Sequence, residues 1–440
     1  MVDIIPFRGF IYNEDKIGNI SRVISPPYDV ISGELKTELY NLHPYNIINL
    51  ILPEGSGTDK YIKAKKILNN WIKKGVLRSG NDKCFYIIEE SFKINNDIKK
   101  ILGFIGLTRI EPYSKSNIIP HEKTSSKIKE DRLKLLSECR MNFGLIYTLY
   151  NDNKNKINDI LQNNIKKNPL IDINAAYDPN LRFKLWNITD TKNINEIIKV
   201  MKDRKLIIAD GHHRYETSLN YKNELDKSRC KNKHNKFYPE DFILTLYIES
   251  NQSDFIILPT HRYLKFENYP GLEKIVDAIS DSFHVEKDIL KSTSYLYEKL
   301  LKAKSSGFKS FFLYGGSKKI YFITLKSNCL DISQGINQPD RYFLNMDVNL
   351  LQKFFIDRIS DLYEIKKIDY THSMDDVIKN INYKKFDIGI FLNAPTVKEI
   401  EKICLAGYLM PEKSTYFFPK PCTGLVMYKF DNDYNNVNYS

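Results

Sequence analysis

Short apolar runs, each closed by polar or turn-forming residues, alternate along the chain with stretches of helical spacing. Leu206–Ala209 is one such run and reads as a short buried strand. It leads at once into Asp210, Gly211, His212, His213 and Arg214, and then into a helical run with Tyr215 and Leu219 on one face. Tyr61–Gly75 predicts a helix, with Ala64, Ile67, Leu68 and Trp71 on one side and Gly75 at the stop. Phe85–Ile88 and Ile101–Ile110 predict an antiparallel hairpin turning near Asn95, Asn96 and Asp97. Ile47–Leu52, Phe242–Glu249, Phe255–Leu258 and Phe386–Leu392 also read as strands, and Lys309–Leu313 with Lys319–Leu325 as a hairpin around Gly315 and Gly316. Leu133, Leu135 and Leu136 give a helix its apolar side, Ile289–Leu301 looks helical, and the polar stretch Asn151–Asn168 reads as a linker or exposed helix. The mixture predicts an α/β (mixed α+β) protein. Three regions are expected: 1–110, 111–268 and 269–440.

Composition changes this picture little. A chain of 440 residues suggests two or three domains. Hydrophobic residues at 42% and charged residues at 27% are ordinary for a globular protein, and 29 tyrosines with 24 phenylalanines supply ample core. The formal net charge of +12 raises the question of a nucleic-acid partner. Lysine is spread over the whole chain without a dense arginine block, so no nucleic acid is expected. Six scattered cysteines without C-x-x-C spacing signal neither zinc nor a redox pair. The first residues lack a secretory pattern, and no apolar run approaches the roughly 20 residues that span a bilayer. A reduced, cytoplasmic protein without a membrane segment is expected. The Asn- and Asp-rich stretch Asp431–Ser440 reads as a disordered tail.

Candidate chemistry gathers in a few clusters. A glycine at a strand-to-helix turn lets backbone approach a ligand, and the free amides of the following helix suit an anion. Arg214 adds a planar fork of donors, and His212 and His213 can bond or protonate a phosphoryl oxygen. Upstream, Ser25-Pro26-Pro27 forms a rigid turn holding Tyr28 and Asp29. In His121-Glu122-Lys123-Thr124 and Asp131-Arg132, the residues Lys123, Thr124 and Arg132 can clamp an anion. Glu122 or Asp131 can serve there as base or magnesium ligand. The run ending at Pro259 delivers Thr260, His261 and Arg262. Lys413-Ser414-Thr415 lacks the glycine-rich stretch of a P-loop, yet it offers an ammonium and two hydroxyls, with Lys420 beyond it. Were these clusters to meet, several donors would surround a dense anion, as phosphoryl transfer requires, with magnesium neutralising the donor.

Five motifs in order carry a resemblance across nearly the whole chain: Ser25 to Asp29, His121 to Thr124 with Asp131-Arg132, Asp210 to Tyr215, Pro259 to Arg262, and Met410 to Lys420. They resemble a family long filed as a domain of unknown function. The Asp-Gly-His-His-Arg signature is similar to that of ADP-using free-serine kinases with a ParB/sulfiredoxin-like core. The resemblance implies such a catalytic core with an additional α/β lobe. It also implies a serine kinase that takes phosphate from inorganic pyrophosphate and makes O-phosphoserine. Residues 210–214 would cradle the donor phosphates. His121, Lys123, Thr124, Arg132, His261, Arg262, Lys413, Ser414, Thr415 and Lys420 would complete the pocket. Asp210, Glu122 and Asp29 are the candidate bases, and Asp210 and Asp131 the candidate magnesium ligands.

Other readings stay open. An ADP- or ATP-dependent small-molecule kinase would use the same turn, and so would a ParB-like nucleotide- or DNA-binding protein, although no helix-turn-helix is visible. A phosphate-ligand binding protein would not need the carboxylates. A zinc hydrolase would need His121, His212, His213 and His261 to gather, and the adjacent pair lacks the usual i, i+4 spacing.

Overall fold

A computed structural model describes residues 2–94, 97–122, 124, 126–228, 237–330, 342–411 and 413–430. Lys123, the turn at Asn95-Asn96, Cys230 and the tail from Asp431 lie outside the described residues. The fold is mixed α/β, and the chain separates into two compact units. The first comprises Met1–Pro120, Thr124–Phe255 and the chain from Pro419 onward; the second comprises Ile256–Phe418 with the strip at His121. This division differs from three consecutive regions, because strands from both sides of residue 110 enter one sheet.

Nine strands among the described residues build the sheet of the first unit. Eight of them run side by side in the order Ile118–Ile119, Leu206–Asp210, Ile146–Tyr150, Phe242–Glu249, Asp97–Arg109, Phe85–Ile94, Leu181–Ile188 and Ile171–Asn174. Ile4–Ile5 pairs separately with Asp97–Arg109. One face carries Phe85, Ile87, Phe104, Tyr247, Ile146 and Ile208. Packed on it are Ile157 and Leu161 of helix Lys156–Asn164, Ile194, Ile197 and Met201 of helix Thr191–Met201, and Tyr215 of helix His212–Ser228. Alternation puts Tyr86, Ile88 and Glu90 on the other face.

The hairpin Phe85–Ile94 with Asp97–Arg109 forms as its alternation predicts, with Tyr86 opposite Ile105 and Glu90 opposite Ile101. Gly103 is needed within it for space. A Cβ there would lie 2.2 Å from Ile248 Cδ1 and 2.7 Å from the Tyr247 carbonyl oxygen. Backbone on the neighbouring strand cannot retreat without breaking the ladder, so Gly103→Ala should destabilise by about 1–3 kcal/mol in denaturant unfolding. A midpoint unchanged from wild type would contradict this packing.

Three expectations from the pattern differ from the structure. Ile47–Leu52 is not a strand: Ile48–Ile51 is a single helical turn, started by the Asn46 side-chain oxygen accepting from the Ile48 amide at 2.9 Å. A short run buried on every side has no period to separate the two states. Lys156–Asn164, expected as part of a linker or exposed helix, is a helix, and differs in burying Ile157 and Leu161 in the core. Ile289 ends strand Phe283–Ile289, and the helix after it, Thr293–Ser305, begins where Ser292 accepts from the Tyr295 amide at 3.1 Å.

The second unit holds a six-stranded antiparallel sheet in the order Phe283–Ile289, Lys319–Leu325, Ser310–Tyr314, Ile388–Phe391, His261–Phe266 and Ile365–Thr371. Its core joins Phe312 and Phe391 to Leu296 and Leu300 of one helix and to Val377 and Ile381 of another. A separate strand pair, Ile256–Leu258 with Tyr416–Phe418, closes the unit where the chain enters and leaves it. Among the described residues no helix is long and apolar enough to cross a membrane.

Candidate functional site

Strand Leu206–Asp210 is buried throughout and delivers Asp210 to its end. Gly211 follows with φ +93°, a conformation side chains rarely adopt. A Cβ there would also stand 3.0 Å from Arg214 Nε and 3.1 Å from Ile146 Cγ2. The turn is therefore closed to other residues by both backbone and space. Helix His212–Ser228 starts directly, its first ladder bond running from the Tyr215 amide to the Gly211 carbonyl at 3.0 Å. Tyr215 anchors it by donating from Oη to the Glu111 carbonyl at 2.7 Å and by stacking on Tyr113.

Asp210 organises the site. One carboxylate oxygen accepts from Lys420 Nζ and the other from Arg214 Nη2. Burial pushes this carboxyl up, but Lys420 and Arg214, with a smaller push from His212, outweigh it and hold it well below the usual carboxylate range. The group stays ionised and both oxygens are engaged, which makes it a weak proton acceptor.

A second carboxylate repeats the arrangement. Asp131 accepts from Lys60 Nζ at 2.7 Å and Tyr61 Oη at 2.6 Å on one oxygen, and from Arg132 Nε at 2.9 Å on the other. Burial raises this carboxyl too, and Arg132 with Lys60 and Tyr61 brings it well below its ordinary value. Arg132 lies over the Tyr28 ring at 4.4 Å and donates to the Ile51 carbonyl at 2.7 Å. Each group thus sets one carboxylate against two cations and leaves positive charge over. Burial pushes the Tyr28 phenol up to about 12, partly opposed by Arg214. Thr124 donates to Glu216 at 2.7 Å, where Lys129 also pairs at 2.8 Å.

Tyr28, Arg132 and Arg214 line a cleft of about 580 Å³, its open mouth included, with Leu135, Leu136 and Phe143 on the apolar side. Gly144 lets the Arg214 guanidinium settle there, since a Cβ would meet Nη1 at 3.0 Å. The Thr217 hydroxyl on the cleft wall is buried without a partner.

The first unit therefore brings together Asp210, Gly211, Arg214, Lys420, Asp131 and Arg132. Asp29 is exposed on the short turn Tyr28–Val30, His212 is buried, and His213 is half-buried. Thr124 also belongs to the first unit, while His121, Glu122, His261, Arg262, Lys413, Ser414 and Thr415 fall in the second. There His121 Nε2 lies 2.8 Å from Thr415 Oγ1, and the His121 ring meets Phe417 edge-on. Glu122 sits 3.9 Å from His121, and the Ser414 hydroxyl is turned onto the Pro411 carbonyl at 2.7 Å. His261 is fully buried, and burial with nearby His372 lowers it to about 3, so it is neutral. Arg262 is buried as well, its Nη1 only 3.4 Å from Gln352 Oε1. Lys413 is exposed in a turn with φ +60°.

Asp210 and Asp131, the carboxylates expected to hold magnesium, carry cations on both oxygens, a donor set unsuited to a further cation. Among the described residues no three His, Cys, Asp or Glu side chains gather in a way that could hold a metal. Sequence reasoning missed Lys60 and Tyr61, which look like the solvated face of a helix, and Gly144, which has no motif around it.

Among curated proteins none matches the sequence. Several solved structures match the chain at low identity. A mutant free serine kinase in complex with ADP is 14% identical over 68% of this chain and 84% of that one, with a TM-score of 0.33. A free serine kinase in complex with AMP gives 14% over 68% and 83%, again at 0.33. SbnI with a C-terminal truncation, from Staphylococcus aureus, gives 11% over 72% and 85%, also at 0.33. TM-scores this low do not establish a shared fold. The family model described as "Protein of unknown function (DUF1015)" matches residues 4–349, and the chain belongs to that family.

Proposed function

We propose that the protein is a phosphotransferase that moves a phosphoryl group from inorganic pyrophosphate to the hydroxyl of free L-serine, giving O-phosphoserine, on a ParB/sulfiredoxin-like core. The observation that carries this reading is the Asp210 group: a guanidinium and an ammonium fixed by one buried carboxylate where a glycine turn opens a helix. Pyrophosphate oxygens would lie on the first-turn amides, Arg214 and Lys420, with Arg132 facing the same cleft. The serine Oγ attacks the terminal phosphorus, the bridging P–O bond breaks, and orthophosphate leaves. The hydroxyl proton passes to a carboxylate. Asp29, exposed beside Tyr28, suits that role better than Asp210, whose oxygens are committed to cations.

A second donor is favoured by one feature. The apolar wall of Leu135, Leu136 and Phe143 beside Arg214 is more than pyrophosphate needs and would accept the base of ADP or ATP. Phosphorus NMR of the purified protein with L-serine and magnesium, and with pyrophosphate, ADP or ATP in separate tubes, tests both. A phosphoserine signal with pyrophosphate alone is the expected result. Signal only with a nucleotide would transfer the donor role, and silence in all three tubes from folded protein would end the kinase reading.

A further inference from the structure

The cleft in the first unit holds two guanidiniums, and pyrophosphate accounts for one of them. Arg214 rises from the Gly211 turn and pairs with Asp210, beside Lys420. Arg132 comes from a different helix, Ser126–Cys139, and has a carboxylate of its own in Asp131. Both arginines line the same cleft.

Arg132 is held more closely than an ion pair requires. Its Nε and Nη2 donate to one oxygen of Asp131, while Lys60 and Tyr61 of helix Asp59–Lys73 donate to the other. Its Nη1 donates to the carbonyl of Ile51 in the turn Ile48–Ile51, and the Tyr28 ring covers one guanidinium face. Three other elements thus set the plane of a side chain that is 10% exposed. A group fixed in this way has already lost the freedom that binding would otherwise have to remove. Among the described residues one N–H on Nη1 and one on Nη2 remain unengaged. No Asp or Glu of the described residues lines the cleft, so it offers a second anion a partner and an ammonium no counter-charge.

We propose that Arg132 reads the carboxylate of the phosphoryl acceptor, which makes the acceptor a short hydroxy acid whose amine is not required. This rests on the serine kinase reading. With the donor on Arg214 and Lys420, an acceptor that brings its hydroxyl to the terminal phosphorus has its own carboxylate left for the second guanidinium. A planar fork suits a planar carboxylate, and the apolar side of the cleft strengthens the pairing by lowering the local dielectric.

The test compares L-serine with 3-hydroxypropionate, which lacks the amine, and with ethanolamine, which lacks the carboxylate, each with pyrophosphate and magnesium. In kcat/KM the wild type should use 3-hydroxypropionate within about tenfold of L-serine and ethanolamine about 10²-fold less well, the scale of a lost charge-assisted pair. In Arg132→Gln the KM for both hydroxy acids should rise about tenfold or more, with the pyrophosphate KM within about twofold and ethanolamine turnover unchanged. Asp131 keeps Lys60 and Tyr61 in that variant, so the fold should survive. Tyr28→Leu, which removes the ring over the guanidinium, should give a smaller rise in the same direction. A structural Arg132 would instead slow every acceptor alike, which would overturn the proposal. So would ethanolamine turning over like L-serine, or 3-hydroxypropionate not at all. Calorimetric titration needs no turnover and so separates this from the function. L-Serine binding weakened in Arg132→Gln but kept in Arg214→Ala, with pyrophosphate showing the reverse, would sustain the carboxylate site even in a protein that phosphorylates nothing. Equal L-serine affinity in wild type and Arg132→Gln, or none in the wild type, would overturn it.

Discussion

Arg214→Ala and Lys420→Ala should each lower kcat/KM for phosphoryl transfer by about 10²–10³, the usual effect of removing one preorganised donor from a developing charge. Circular dichroism and the thermal midpoint should stay near wild type, because each change leaves Asp210 with its other cation. The double variant should lose less than the product of the two, as both side chains share one carboxylate. Arg214→Lys should recover little, since an ammonium cannot keep one N–H on Asp210 while aiming another into the cleft as the guanidinium fork does. Steady-state kinetics with pyrophosphate and L-serine check this. Activity within twofold of wild type in either alanine variant would remove the Asp210 group from the reaction.

The second large effect concerns stability against pH. Burial raises Glu90 from an ordinary 4.5 to about 8. Between those values the folded protein holds a proton that the unfolded chain has released. The stability this proton confers is therefore full below about 4.5 and is lost as pH rises through about 8, at about 1.4 kcal/mol per pH unit. The total is roughly 5 kcal/mol. Asp210 works oppositely: its lowered carboxyl gives stability above the unfolded value that fades on acidification. Wild-type thermal midpoints should thus peak in mildly acidic solution and fall toward pH 8. Glu90→Gln, neutral throughout, should remove most of the alkaline fall and melt higher than wild type at pH 8. A wild-type profile flat from pH 5 to 8 would contradict an unpaired Glu90.

Much of this was legible in the residues, unevenly. Hairpins announced themselves through alternation, as in Phe85–Ile94 with Asp97–Arg109 and Ser310–Tyr314 with Lys319–Leu325. The turn at Gly211 was legible because a strand, a glycine and a helix start adjoin there. Ile48–Ile51 was not, since a four-residue run buried at Ile48, Leu50 and Ile51 is too short to show either period. The sequence could nominate Lys420 but not its partner, because an ion pair across 210 residues leaves no local trace. Nor could motifs reveal that His121, His261, Arg262 and Thr415 belong to a different compact unit from Asp210. Only a chain path can sort them.

The strand pair Ile256–Leu258 with Tyr416–Phe418 bears on how the protein is assembled. It sets the entry and exit of the second unit side by side, about one inter-strand spacing of 4.8 Å apart. An excursion that would otherwise form a long floppy loop becomes a folded insertion with its ends already joined, and most of the entropy of closing that loop is met within the insertion itself. Lys420 sits just past this clasp. A ribosome must therefore finish the insertion before Asp210 receives its second cation, and the growing chain carries a half-neutralised site until then.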